Sequence, residues 1–181
     1  MSNIVGQESL SQVEVLEADN TNEEHRRGLY GVVASVGSEF KPPINQRTEN
    51  DLYVEYLFGY GLYAVEQFGD EPRNGVVVMA KLGYKTVGLA ACLEHIEKYD
   101  GAYLICTMVL PEYRRIGIAN MLMEARLKIL GAKGVKRVSV TTWSTNLASI
   151  ANLEKAGFEI VKTIPNERGP SIDGMVLSKY L

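Results

Sequence analysis

A short segment between an apolar run and an amphipathic stretch carries the residues best suited to bind an anion. It extends from Met108 to Ala119 and contains two adjacent arginines, Arg114 and Arg115, followed by Gly117. A strand-to-helix junction leaves the first helical N–H groups without partners and places the positive end of the helix dipole there. Because Gly117 has no side chain and Ala119 has only a methyl group, an anion can approach this backbone closely. The segment therefore predicts a cradle for a diphosphate.

Hydrophobic periodicity predicts the elements that position this segment. Three strands precede it, at residues 76–82, 86–93 and 102–109, and a turn at Gly83–Tyr84 joins the first two. A helix follows over about residues 117–130. Its apolar residues recur at the spacing of one helical face and are Ile118, Met121, Leu122, Ala125 and Ile129.

The rest of the chain also divides into strands and helices. A strand at residues 138–143 leads to a short helix that Thr145 or Asn146 caps and Gly157 ends. Two strands close the chain. At the start, a strand near residue 13 precedes a helix over about 23–36, and residues 51–68 form an aromatic helix that breaks at Gly59 and Gly61. These elements predict a mixed α/β fold, with helices on both faces of a twisted central sheet.

The anion-binding segment resembles a motif of the GNAT acetyltransferases. Arg114-x-x-Gly117-x-Ala119 is similar to the Arg/Gln-x-x-Gly-x-Gly/Ala loop of that family, and Val109-Leu-Pro-Glu-Tyr extends the match into the preceding strand. The resemblance implies a mostly antiparallel sheet and a loop that holds the pyrophosphate of acetyl-CoA. It assigns pantetheine contacts to the strand backbone at Met108 and Val109. The pyrophosphate residues that it implies are Arg114, Arg115, Ile116, Gly117, Ile118 and Ala119.

A second resemblance lies one helix and one strand downstream. Asn146-Leu-Ala-Ser149-Ile, followed by a helix that ends in Gly157-Phe158, is similar to the second cofactor motif of the family. It implies that Asn146 and Ser149 bind the cofactor, although an N-cap and a C-cap would also explain Asn146 and Gly157. We therefore expect one GNAT-like domain over residues 1–181. Its acetyl-CoA-binding core is residues 76–181, and residues 1–75, placed by order alone, form the acceptor side.

The resemblance implies direct attack by a primary amine on the thioester of acetyl-CoA. Backbone N–H groups at Met108 and Val109 are the expected groups that polarise the carbonyl. Family members often have a tyrosine as general acid where this chain has Leu153. Either another hydroxyl, for which Ser149 is a nearby candidate, or a water protonates the thiolate, or the thiolate leaves without help. An inactive acyl-CoA-binding regulatory or interaction domain remains the alternative.

The general base also departs from the family pattern. Tyr103 aligns with the glutamate that many members use, and Glu94 and His95 end the preceding strand. Only one of these two neighbours can face the cleft of a regular strand. We expect Glu94 to be the base, since a carboxylate accepts a proton at neutral pH more readily than a phenol.

Composition limits the partners and the compartment. The net charge is −3, with 19 basic and 22 acidic residues and no basic run, which argues against nucleic acid. There is no apolar run of about 18 residues that would span a membrane, nor a secretory signal, and Cys92 and Cys106 match no metal or redox spacing. We expect a cytoplasmic, metal-free protein that acts on a small-molecule amine or a protein amino group, and we leave a homodimer open. Four acidic residues in and next to the aromatic segment could attract the amine. The alternative is that they are ordinary solvated residues of a helix. They are Glu49, Asp51, Glu55 and Glu66.

Overall fold

The computed structural model describes residues 10–59 and 74–181, which form seven strands and four α-helices. Their order agrees with the sequence prediction, although the expected aromatic helix ends at Leu57 and residues 60–68 of that prediction lie outside the described residues. The elements are β1 Val13–Glu17, α1 Glu23–Val36, α2 Asn50–Leu57, β2 Gly75–Leu82, β3 Lys85–Ile96, β4 Gly101–Val109, α3 Ile118–Ala132, β5 Arg137–Trp143, α4 Leu147–Lys155, β6 Glu159–Ile164 and β7 Gly174–Tyr180.

The strands form one open sheet in the order β1-β2-β3-β4-β5-β7-β6. Every neighbouring pair is antiparallel except β4 and β5, which are parallel and are connected through α3. A parallel pair needs such a crossover, because its strands begin at the same end of the sheet. The expected mixed, mostly antiparallel sheet is confirmed.

Helices cover both faces of this sheet, as the sequence predicts. Alternate residues of β3 point to opposite faces: Leu89 and Leu93 pack with α1 and α2, while Ala90 and Cys92 pack on the side of α3 and α4. In the described part of the aromatic segment, Tyr53, Tyr56 and Phe58 are buried in the first of these cores. None of the helices among residues 10–59 and 74–181 has the length and apolar character needed to cross a membrane.

Strand β4 contains one extra residue relative to β3. Ala91 is opposite Cys106, whereas Cys92 is opposite Leu104, so Ile105 has no partner and forms a β-bulge. An extra residue reverses the alternation of the side chains that follow it. Leu104 accordingly packs on the α3 side, while Ile105 and Cys106 both face α1 and α2.

Helix α3 buries a different face from the expected one. Ile118 and Leu122 are buried as predicted, but Met121, Ala125 and Ile129 are only partly buried. The fully buried row continues through Met123, Arg126 and Leu130. Relative to the predicted orientation, the helix is rotated about its axis, so that Arg126 lies at the centre of its packed face.

Candidate active site

A wedge-shaped cavity opens where β4 and β5 separate. The two strands pair only at three positions, which are Ala102 with Val138, Tyr103 with Ser139, and Leu104 with Val140. Beyond them β4 remains paired with β3, and β5 remains paired with β7. The resulting cavity has a volume of about 670 Å³ and extends from residues 104–109 past the loop at 113–117 to α4.

The backbone of β4 points hydrogen-bonding groups into this wedge. The N–H of Leu110 donates to the carbonyl of Val87 on the β3 side (2.9 Å), and alternation along the strand then directs the N–H groups of Thr107 and Val109 away from β3. The carbonyl of Val109 points the same way, since it accepts from Nε of Arg114 (2.8 Å). The N–H of Met108, by the same alternation, is directed towards β3. Of the two expected donors, only Val109 has an N–H that faces the cleft.

The loop after β4 presents a row of N–H groups that have no acceptor among the described residues. Among the hydrogen bonds of the described residues, none has a donor in the backbone of residues 115–119, whereas Asn120 and Met121 both donate to the carbonyl of Gly117. Arg115 and Gly117 have positive φ angles of 66° and 100°, which turn the chain so that consecutive N–H groups converge. This geometry fits the expected diphosphate cradle at the start of α3.

The two arginines of the loop have different environments. Arg114 is held by the carbonyl of Val109 and by an ion pair with Glu39 (2.8 Å), so its side chain ties the loop to β4 and to the turn after α1. Arg115 is exposed and belongs to none of the ion pairs among the described residues. Arg115 is therefore the loop cation with its charge available to a phosphate.

Helix α4 forms the opposite wall. Asn146 caps it by accepting from the N–H of Ser149 (3.4 Å), and its amide donates to the hydroxyl of Thr142 (3.3 Å). Asn146 and Ser149 both line the cavity, so the capping role does not remove Asn146 from reach of a ligand. Leu153 lines the same wall and is 3% exposed, which makes it part of the core as well.

The expected acid–base residues lie outside the cavity. Glu94 points to the α3 side of β3, where its carboxylate accepts from Lys133 (2.5 Å) near the far end of α3. This hydrogen bond to the Glu94 carboxylate raises the pKa of Lys133. Tyr103 stacks on Tyr99 with ring centroids 4.5 Å apart, and burial raises its pKa to about 12, so it is a poor base at neutral pH. His95 is exposed. The geometry does not support Glu94 as base, and the assignment stays a prediction.

Two cavity residues were missed by sequence reasoning. Glu39 belongs to a turn far from the motifs, and no local signal indicates its ion pair with Arg114. Arg126 lines the cavity although it is 1% exposed. Its spacing of eight residues from Ile118 and four from Leu122 would have placed it on their face, but its charge suggests an exposed position.

Comparisons with known proteins agree with this architecture. The family model described as "Acetyltransferase (GNAT) family" matches residues 44–158. A comparison with curated sequences finds no match.

Three solved structures illustrate the similarity of the fold. A GCN5-related N-acetyltransferase from Kribbella flavida superposes with a TM-score of 0.72 at 14% identity, covering 96% of this chain and 100% of the other. An aminoglycoside 6′-N-acetyltransferase complexed with coenzyme A gives 0.64 at 16%, covering 92% and 96%. The ribosomal-protein-S18-alanine N-acetyltransferase from Escherichia coli gives 0.60 at 17%, covering 93% of each chain.

The fold is that of the N-acetyltransferases compared above. The family match covers most of the chain, and the chain belongs to the GNAT acetyltransferase family. Its cosubstrate is acetyl-CoA.

Proposed function

We propose that this protein transfers the acetyl group of acetyl-CoA to a primary amine by direct attack. The observation that carries the proposal is one continuous cavity, which joins the open edge of β4 to Arg115 and residues 117–119 of the loop, whose backbone N–H groups donate no hydrogen bond among the described residues. The loop would bind the diphosphate with help from Arg115. The edge of β4 and Asn146 would align the pantetheine arm, and the N–H of Val109 would polarise the thioester carbonyl.

Proton transfer requires little from the side chains of the cavity. Among the described residues that line it, the sole carboxylate is Glu39, which Arg114 already pairs, and there is no histidine. We infer that the amine binds in its neutral form or loses its proton through water. Catalysis would then come mainly from positioning, which can supply a large share of a rate enhancement.

Two classes of acceptor are consistent with this site. The similar structures include an enzyme named for aminoglycosides and one named for an alanine of a ribosomal protein. We propose a small-molecule amine or a protein amino group, bound on the side formed by residues 1–75, within one domain of residues 1–181. The two buried, unpaired thiols fit the reducing cytoplasm that we expect from the sequence. A homodimer is the assembly to test by light scattering.

A thiol-release assay across a panel of amines tests the function. We expect CoA to be released with at least one amine class, and mass spectrometry should show the acetylated product. The matched control is Gly117→Glu, which places a carboxylate against the diphosphate and should remove both binding and turnover. A wild-type protein that binds acetyl-CoA but releases no CoA above the uncatalysed rate with any polyamine, aminoglycoside or peptide N-terminus would instead indicate the regulatory alternative.

A further inference from the structure

Arg126 is a buried cation beside the cleft, and no carboxylate of the described residues balances its charge. The residue lies in the middle of α3, is 1% exposed and lines the cavity. None of the ion pairs among the described residues includes it. Burying a guanidinium without a counter-ion is costly, so the neighbours that hold it there are informative.

Those neighbours are backbone carbonyls at the bulge of β4. One terminal nitrogen of Arg126, Nη1, donates to the carbonyls of Ala91 and Cys106 (3.0 Å each), and the other, Nη2, donates to the hydroxyl of Thr107 (3.3 Å). Ala91 and Cys106 are opposite each other on β3 and β4. The guanidinium therefore ties the two strands together where the extra residue changes the direction of the backbone. That change of direction determines that the backbone N–H groups of Thr107 and Val109 face the wedge.

We propose that Arg126 is a positioning residue for acetyl transfer, which fixes the bulge of β4 and places an uncompensated positive charge beside the cleaved thioester bond. This inference rests on the proposed function. In the transfer, the amine nitrogen bonds to the acyl carbon, the carbon–sulfur bond breaks with its electron pair remaining on sulfur, and water takes the amine proton. Leu153 cannot donate a proton to that sulfur. A fixed cation beside the cleft would stabilise the thiolate without proton transfer.

The ionisable groups that adjoin Arg126 are neutral near pH 8, so they do not offset its positive charge. Cys92 on β3 and Cys106 on β4 adjoin it, and burial raises their pKa values to about 11 and about 12, so both stay neutral near pH 8. The described residues of β5 and α4 that line the cavity have no titratable side chains. The ionisable residues at the cavity mouth are Glu39, Tyr113, Arg114 and Arg115.

The test compares the binding of CoA and desulfo-CoA by the full chain from about pH 7 to about pH 9.5, where a thiol ionises. In the wild type, CoA should gain affinity relative to desulfo-CoA by about tenfold across this range, which corresponds to a pKa of the bound thiol lowered by one unit. The phosphates and the residues at the cavity mouth titrate in the same way with both ligands. The ratio of the two affinities therefore reports only the ionisation of the CoA thiol. Arg126→Met should abolish this gain. Arg126→Lys should keep the gain, because it keeps the charge, but lose the paired contacts at the bulge.

Kinetics and a distant control separate this role from a purely structural one. The kcat should fall in both Arg126 variants by more than the KM for acetyl-CoA rises. Arg137→Met removes an arginine whose partner is Asp100, outside the cavity, and should change neither readout. If Arg126→Met does not fold, Arg126→Gln serves as the neutral variant.

A wild type in which CoA and desulfo-CoA respond equally to pH would overturn the inference, as would a neutral variant that keeps the gain. The binding readout needs no acceptor. A wild type that shows the gain but acetylates no amine would therefore refute the proposed function alone.

Discussion

Gly117 is the position at which the cofactor cradle can be tested with the smallest chemical change. Its φ of 100° is one that L-residues rarely adopt, yet an added Cβ would meet, among the described residues, only Leu10, at an ordinary distance of 3.6 Å. Gly117→Ala therefore introduces backbone strain without a clash. Such strain costs about 1–3 kcal/mol of folding stability, and each kcal/mol lowers the Tm by about 2–4 °C in a chain of this length.

The effect on binding should exceed the effect on folding. Relaxing φ towards negative values would rotate the N–H groups of residues 117–119, which must converge on the diphosphate. We expect the Kd for acetyl-CoA to rise at least about tenfold, or about 1.4 kcal/mol. Gly117→Glu should remove detectable binding, because it adds a negative charge where two phosphates must lie.

Gly134 provides a matched control at the other end of α3. Its φ is 78°, and an added Cβ would meet no described residue within 4 Å, so Gly134→Ala carries similar strain away from the cavity. Thermal unfolding with and without saturating acetyl-CoA measures both effects, since a ligand that binds the folded state raises the Tm. We expect similar losses of Tm without ligand, but a reduced ligand-induced shift only for Gly117→Ala. If Gly117→Glu binds acetyl-CoA as well as the wild type does, the cradle is misassigned.

Three further predictions concern buried groups. Leu153→Ala should lower the free energy of unfolding by about 2–5 kcal/mol, because Leu153 is 3% exposed; a stable variant with a selective loss of kcat would contradict this. Glu94→Gln should leave kcat/KM unchanged in steady-state assays, since its partner is Lys133, and a displaced acidic limb of the pH profile, where a general base becomes protonated, would restore Glu94 as base. Stability should fall as the pH rises above about 9, because folding raises the thiol pKa from 9.0 to about 11 at Cys92 and about 12 at Cys106. Each group keeps its proton in the folded state and loses it in the unfolded state, which costs about 1.4 kcal/mol per pH unit until its folded pKa is passed. Denaturant titrations at several pH values should show a slope that Cys106→Ala reduces by about 1 kcal/mol per pH unit near pH 10.

Local sequence signals predicted the helices, the strands and the loop after β4, because these features depend on interactions between residues that are close in the sequence. The N-cap at Asn146, the C-terminal turn at Gly157 and the junction at Gly117 each need only a few neighbouring residues to be recognised. Gly157 has the positive φ of 83° that ends a helix in this way. The order of strands and helices then limited the possible folds.

The residues that face the cleft could not be predicted in the same way. A bulge at Ile105 reverses the alternation in β4, and it is visible only in the pairing with β3. Glu94 faces α3 because β3 packs against that helix, a contact between distant parts of the chain. Arg126 was not identified from the sequence, because an arginine is usually exposed and the carbonyls that accept its hydrogen bonds come from two other elements.

The short ladder between β4 and β5 also has a consequence for how the protein opens. Strands β1–β4 and β5–β7 are each joined by long antiparallel ladders, while three residue pairs connect the two sets. The sheet should therefore separate along this seam before either half loses its own bonds. A pantetheine arm in the wedge would act as a substitute strand and make the two halves open together. Native-state hydrogen exchange should then slow, on addition of acetyl-CoA, not only at Val109 but also at amides of β7 that no ligand touches.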